Sequence, residues 1–285
     1  MLNGLDLTWP SNPGAIAFLL VLSLLYLLGV WRAHVRQAIY PQEKPVKAYQ
    51  IFLFFLAIAF MALLLLTPID IIGRTQLFMV HMAQVVLLST LCAPLILAGS
   101  PALLLRPLIN APIIRSIIRA RAFPIAASII FNVTFLIWQA PPILAACMKD
   151  PALYQWQLLT IFLTSLLNWW PLIGSVHEVR RLSYPLQMLY AFFDGQPLDI
   201  LALLLIFTGS TLYHYAVPAQ LGFSPFGDQA TGGALLLIPG IVDLVVMSPL
   251  FFRWLAQIEQ QAKLADQKRQ EEEEAAEAAR QGTEA

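Results

Sequence analysis

The residues of this chain that could do chemistry are few, and most are embedded in apolar sequence. Four histidines divide by position: His81 and His214 fall near one set of segment ends, His34 and His177 near the other. Cys147, Met148 and Asp228 share the depth of the first pair, and Met79 and Met82 flank His81. Imidazole, thiolate and thioether donors together favour Cu(I), with zinc an option if the thioethers are unused. His81, His214, Cys147 and Met148 are therefore the candidate metal ligands. No C-x-x-C or H-x-x-x-H spacing ties them into one motif. Each has a plain alternative: His81 as a hydrogen-bonded structural histidine, His214 as an interfacial anchor between Tyr213 and Tyr215, Cys147 as a small hydrophobe, the methionines as core filling.

A second set is acidic: Asp194, Asp199 and Asp243, all within long apolar segments with no Lys or Arg placed to neutralise them. Ionised carboxylates there are expensive, so protonation, hydrogen bonding or hydration from a cavity is expected. A proton path through them and a structural bond to Asn132 or Asn168 are both open readings.

The elements that must position these groups are membrane helices. Of the 285 residues, 59% are hydrophobic and only 12% charged, which excludes a soluble globular enzyme. The 17 basic and 17 acidic residues balance, so no basic field is available for nucleic acid. Crossing a hydrocarbon core takes about 20 apolar residues in a helix. Seven stretches qualify: Ala15 to Trp31, Tyr49 to Leu66, Leu77 to Leu97, Phe123 to Trp138, Tyr154 to Leu172, Leu186 to Tyr215, and Gly232 to Trp254. The sixth contains Pro197, where a kink or an interfacial first turn is expected. The fold class is thus all-α, a polytopic bundle of seven transmembrane helices in contact with lipid. Residues 1–255 form the membrane domain, and 256–285 a low-complexity acidic tail expected to be a solvated, fraying helix.

Orientation follows from the positive charges, which accumulate in cytoplasmic loops. Fifteen of the 17 Lys and Arg fall after helices one, three, five and seven, leaving only Arg74 and Lys149 on the other side. This places the N-terminus outside and the C-terminus inside. The seven tryptophans agree, all falling at segment ends or in the N-terminal arm. Met1 to Gly14 has no Lys or Arg, so the first segment reads as a retained helix rather than a signal peptide. A retinal-type Schiff base is excluded, because the lysines (44, 47, 149, 263 and 268) all lie in loops or the tail. No phosphate-cradling glycine loop occurs.

Several ordered motifs carry a family resemblance. Thr67-Pro-Ile-Asp70, Phe78-Met-Val-His-Met-Ala-Gln84 and Ala93-Pro-Leu-Ile-Leu-Ala-Gly-Ser-Pro101 come first. Pro151-Ala-Leu-Tyr154, Trp169-Trp170-Pro171, Leu212-Tyr213-His214-Tyr215, Asp228-Gln229-Ala-Thr-Gly232-Gly233 and Ile238-Pro239-Gly240 follow. From Thr67 to Trp254 the chain resembles the CtaG-like cytochrome c oxidase assembly factors. The resemblance implies a seven-helix protein of the bacterial cytoplasmic (inner) membrane that helps a haem-copper oxidase acquire copper at the outer face. Its partners would be oxidase subunits. Asp70, His81, Gln84, Asp228 and Gln229 match the family pattern. Val85, Tyr154, Gln157, Leu158 and Leu237 stand where the family tends to carry histidine, histidine, glutamate, histidine and tryptophan.

The reading that joins these strands is a non-enzymatic membrane assembly factor handling copper. A proton- or solute-coupled transporter using Asp194, Asp199 and Asp243 is one alternative. A structural subunit or scaffold of a respiratory complex without metal is the other.

Overall fold

The computed structural model describes residues 4–39, 46–101, 104, 123–173, 182–222 and 224–283. His177 and the charges Lys44, Arg106, Arg115, Arg119, Arg121, Arg180 and Arg181 lie outside the described residues.

Among the described residues the chain is all helical: α1 (Pro13–Ile39), α2 (Ala48–Leu66), α3 (Ile69–Thr75), α4 (Phe78–Leu87), α5 (Ala93–Gly99), α6 (Phe123–Trp138), α7 (Pro141–Lys149), α8 (Pro151–Ile173), α9 (Tyr184–Phe207), α10 (Pro225–Leu235) and α11 (Ile238–Thr283). Five spans are long and apolar enough to cross a membrane: α1, α2, α4 with α5, α9, and α10 with α11. The pair α6 and α7, bent by 67°, makes a sixth. α8 has the length, at 23 residues, but spends part of it on Gln155, Gln157, Thr160, Thr164, Ser165 and Asn168. Those polar groups lower its hydropathy, and several of them, such as Gln157, Ser165 and Asn168, are turned into the bundle, while Trp156, Leu163 and Leu167 are exposed.

The apolar surface is turned outward. Leu20, Leu24 and Leu25 of α1, Ile200 and Phe207 of α9, and Leu244 and Val245 of α11 are exposed. That arrangement suits hydrocarbon as solvent. The α4–α5 rod is the axis of the bundle: 61% of its most apolar stretch is buried, against 17% for α1. It packs against α2, α8 and α10, whereas α1 packs mainly on α2.

A π-helical turn, Leu88–Cys92, joins α4 to α5. Pro94 explains it, since a proline ring has no N–H and clashes with the carbonyl four residues back, and a widened turn relieves both. At the far end of the rod, a Cβ on Gly99 would lie 2.7 Å from the backbone nitrogen of Phe54 and 2.8 Å from the carbonyl oxygen of Gln50. Only glycine lets α5 and α2 approach this closely. Tyr26 of α1 then donates to the Gly99 carbonyl at 2.9 Å.

Several sequence expectations change here. Cys147 and Met148 lie on the nine-residue helix α7 rather than in a loop. α9 runs unbroken through Pro197 from Tyr184 to Phe207, and ends eight residues before Tyr215. His214 is therefore in an irregular segment, not at a helix end. The helix expected for the tail is continuous with the last span, one helix running past Trp254 to Thr283 with a Lys263–Glu259 pair at 2.7 Å on its surface. Asp70 sits on α3, a short helix that was not expected.

Candidate functional site

The polar centre of the bundle is built around His81, and α4 holds it at a fixed height. Leu77 offers no side-chain cap to the start of α4. Asp228 supplies one from α10: its two oxygens accept the backbone N–H groups of Phe78 at 2.7 Å and Met79 at 3.0 Å. A carboxylate suits this place, because the first N–H groups of a helix lack partners and carry the positive end of its dipole. Gly232, one turn along α10, lets the Phe78 ring lie against the helix, since a Cβ there would be 2.5 Å from that ring. Phe78 stacks in turn on Tyr213, with ring centroids 4.5 Å apart.

Gln229 holds the segment that carries Tyr213. Its Oε1 accepts from the backbone of Leu212 at 2.6 Å and its Nε2 donates to the Ser210 carbonyl at 3.1 Å. The Tyr213 hydroxyl donates to the carbonyl of Gln139 at 2.6 Å, which pins the corner between α6 and α7. Outside the spans, burial pushes the Tyr213 hydroxyl up to about 12, so it stays a donor.

His81 is fully buried and contacted at both ring nitrogens. Nδ1 lies 3.0 Å from the hydroxyl of Tyr154, and that hydroxyl donates to Oε1 of Gln84 at 2.5 Å. Because the tyrosine proton goes to Gln84, Nδ1 must carry hydrogen and donate to the tyrosine oxygen. Nε2 is then a bare lone pair, with the amide nitrogens of Gln139 and Gln157 each 3.3 Å away. The carbonyl oxygens of both amides are buried without a partner. Gln84 is itself fixed by donating to the Leu64 carbonyl at 2.8 Å, with its oxygen turned toward the space that Gly73 leaves by lacking a Cβ.

Asp70 anchors the rim. Its oxygens accept from Gln155 at 2.8 Å and from Asn12 at 3.1 Å, and Asn12 also donates to the Leu65 carbonyl at 2.8 Å. Burial pushes the Asp70 carboxyl above its usual range; the bonds from Asn12 and Gln155 and the nearby Arg74 guanidinium oppose that shift. Arg74 donates to the Met148 carbonyl at 2.9 Å, tying α3 to α7.

The four candidate metal ligands are placed unequally. His81 and Cys147 are buried in the core, Met148 is partly buried and packs against it, and His214 is exposed. Among the described residues no three His, Cys, Asp or Glu side chains come together to hold a metal ion. Five positions on which the resemblance rests act together: Asp70, Gln84, Asp228 and Gln229 form the hydrogen-bonded frame in which His81 stands. Tyr154 and Gln157, read from sequence as departures, are direct partners of His81. Gln139 was missed altogether; its one signal is that it follows Trp138 at the end of an apolar segment.

The acids occupy the other half of the bundle. Asp194 accepts from Ser128, Asn132 and Asn168, whereas Asp199 and Asp243 lie between α9 and α11.

Compared with curated proteins and with solved structures, the chain has no match. A family model described as the cytochrome c oxidase caa3 assembly factor (Caa3_CtaG) matches residues 24–257, which covers every residue of the His81 centre except Asn12. With its motifs in order on a membrane bundle and the match extending over most of its length, the chain belongs to the cytochrome c oxidase caa3 assembly factor family.

Proposed function

We propose that this chain is a non-enzymatic assembly factor that handles copper, as cargo, for a cytochrome c oxidase in the bacterial cytoplasmic membrane. In this reading it crosses seven times, with α8 as the seventh span, its N-terminus outside and its C-terminus inside. The charge asymmetry of its loops supports that orientation. The His81 centre then lies toward the outer face.

One observation carries the cargo reading. The chain Gln84–Tyr154–His81 fixes the imidazole in the tautomer whose Nε2 is unprotonated and carries a lone pair able to ligate. Opposite that lone pair stand only two amide contacts at 3.3 Å, at the weak end of the hydrogen-bond range. The amide oxygens left unpartnered there mark a place where polar groups lack a companion. Cu(I) carries a single charge and accepts few, soft ligands, so His81 with Cys147 or Met148 from α7 would suffice. A site this poor in ligands captures weakly and releases readily, as transfer requires.

The metal-free scaffold reading draws on a different observation: every polar atom of the His81 ring already has a partner, and no three-ligand group exists among the described residues. Oxidase maturation in cells carrying His81→Ala tests the two. The cargo reading expects a several-fold loss of oxidase activity with normal levels of this protein in the membrane. Unchanged oxidase activity would overturn the role given to His81.

A further inference from the structure

The acids lie apart from the His81 centre and are not used by it. Asp194 has the surroundings of an ionised carboxylate. Ser128 donates to one oxygen at 2.5 Å with Asn132 at 2.9 Å, and Asn168 donates to the other at 2.5 Å. Asn168 is oriented by the Tyr190 hydroxyl, which donates to its side-chain oxygen at 2.6 Å. Each contact on Asp194 can be a donated bond, an arrangement that suits the carboxylate form.

Asp199 and Asp243 differ. They meet across the packed interface of α9 and α11, each carboxyl turned into room left by a glycine of the facing helix. A Cβ on Gly195 of α9 would lie 3.2 Å from Oδ2 of Asp243 and 4.0 Å from Oδ2 of Asp199; one on Gly240 of α11 would lie 3.5 Å from Oδ1 of Asp199. Among the described residues neither carboxyl makes a hydrogen bond. The titratable groups facing them are Asp194 and Tyr190, while α6, α8, α9 and residues 225–252 contain no Lys, Arg or His. Two carboxylates in such a place cannot both stay ionised, because each raises the cost of charging the other.

A second observation points to what occupies the site. A cavity of about 30 Å³ adjoins Asp194 and Asp243, lined also by Ser89, Thr90, Asn168 and Gly195, and it has room for about one water. Beside it Asn132, only 6% exposed, bonds Asp194 through its nitrogen and leaves its oxygen without a donor. The cluster therefore calls for hydrogen, as water or as a proton. A metal ion does not fit, since no three acidic, thiol or imidazole groups converge there.

We propose that Asp199 and Asp243 hold one proton between them, on one carboxyl or the other, forming an intramembrane proton-binding site connected through the cavity water to the fixed anion Asp194. A hydronium entering the cavity gives its proton to a carboxylate oxygen of the pair and leaves as water, so nothing else is consumed. The site is independent of the copper reading and gives this assembly factor a second ligand, the proton, within the membrane.

The test uses the full chain in phosphatidylcholine vesicles and the apolar carbodiimide N,N′-dicyclohexylcarbodiimide. The O–H of a protonated carboxyl adds across a C=N bond of this reagent, and the adduct rearranges to a stable N-acylurea with no leaving group. Peptide mass spectrometry should place the label on Asp199 or Asp243, not on Asp194. The yield should fall several-fold as the pH is raised, with no protection by sodium ions. In Asp243→Asn, Asp199 should lose its label at a lower pH, because the like charge that opposed its ionisation is gone. The wild-type result stands alone should a variant fail to fold. Labelling of Asp194, no label on either partner, a yield flat with pH, protection by sodium, or an unshifted Asp199 profile would overturn the proposal.

Discussion

Asp228 accepts the backbone N–H of Phe78 at 2.7 Å across 150 positions of chain, so an acid in the first turn of α10 caps the helix carrying His81. One carboxylate thereby sets the height of the only buried histidine among the described residues. Asp70, Gln84, Asp228 and Gln229 around His81 are mainly a frame, and their removal should show first as lost stability.

Asp228→Ala removes the acceptor from two N–H groups at the start of α4. A lost cap costs about 0.5–2 kcal/mol. Thermal unfolding in detergent, followed by tryptophan fluorescence, should show a lower midpoint for Asp228→Ala and a smaller loss for Asp228→Asn, whose amide oxygen can still accept. Equal midpoints for wild type and Asp228→Ala would contradict the capping role.

Tyr154→Phe deletes a hydroxyl that serves Gln84 and His81 at once. Leaving a buried donor or acceptor unpaired costs about 1–3 kcal/mol. The variant should unfold more readily and bind Cu(I) more weakly, because the imidazole is no longer held in one tautomer. A metal titration on folded protein separates the two effects; wild-type affinity in Tyr154→Phe would mean that the tyrosine does not set the tautomer.

Asp70 should leave a mark on the pH dependence of stability. Burial raises its carboxyl above the ordinary 3.8 despite the bonds from Asn12 and Gln155. In the interval between 3.8 and the raised value the folded chain binds more protons than the unfolded one, so this group lowers stability as pH rises through that interval. Melting midpoints measured across the carboxylate range should fall with rising pH in the wild type relative to Asp70→Asn. Parallel curves would show that Asp70 titrates alike in both states.

Gly99→Ala would put a methyl group 2.7 Å from the backbone nitrogen of Phe54, where no flexible side chain can yield. Overpacking of this kind costs about 1–3 kcal/mol. Size-exclusion profiles and melting curves of the variant should show destabilisation, whereas Gly14→Ala, with nothing within 4 Å of its Cβ, should not.

Much of this was legible in the sequence because lipid imposes simple rules. Apolar runs such as those from Tyr49 and Phe123 end within a few residues of α2 and α6, since every backbone group there must bond within the helix. Where backbone groups find other partners, the rule weakens. The apolar stretch toward Tyr215 reads as helix, yet the chain leaves it at Phe207, because Gln229 supplies bonds to Leu212 and Ser210 that a helix would otherwise provide. Cys147 and Met148 read as loop because a nine-residue helix is too short to show as a span. His81 stood out, being a polar group in an apolar run. The proton chain through Tyr154 and Gln84 did not, because contacts across 73 and 70 positions leave no local pattern. The copper quartet rests on depth and donor type, and neither says anything about direction: His214 shares the depth and is exposed.

The most direct measurement is the Cu(I) content of the purified chain under reducing conditions, after adding one equivalent of Cu(I), beside His81→Ala. If His81 Nε2 takes the cargo, the wild type should retain about one copper per chain and the variant several-fold less. No copper in the wild type, or equal copper in both, would contradict that claim and leave the chain a metal-free member of its family.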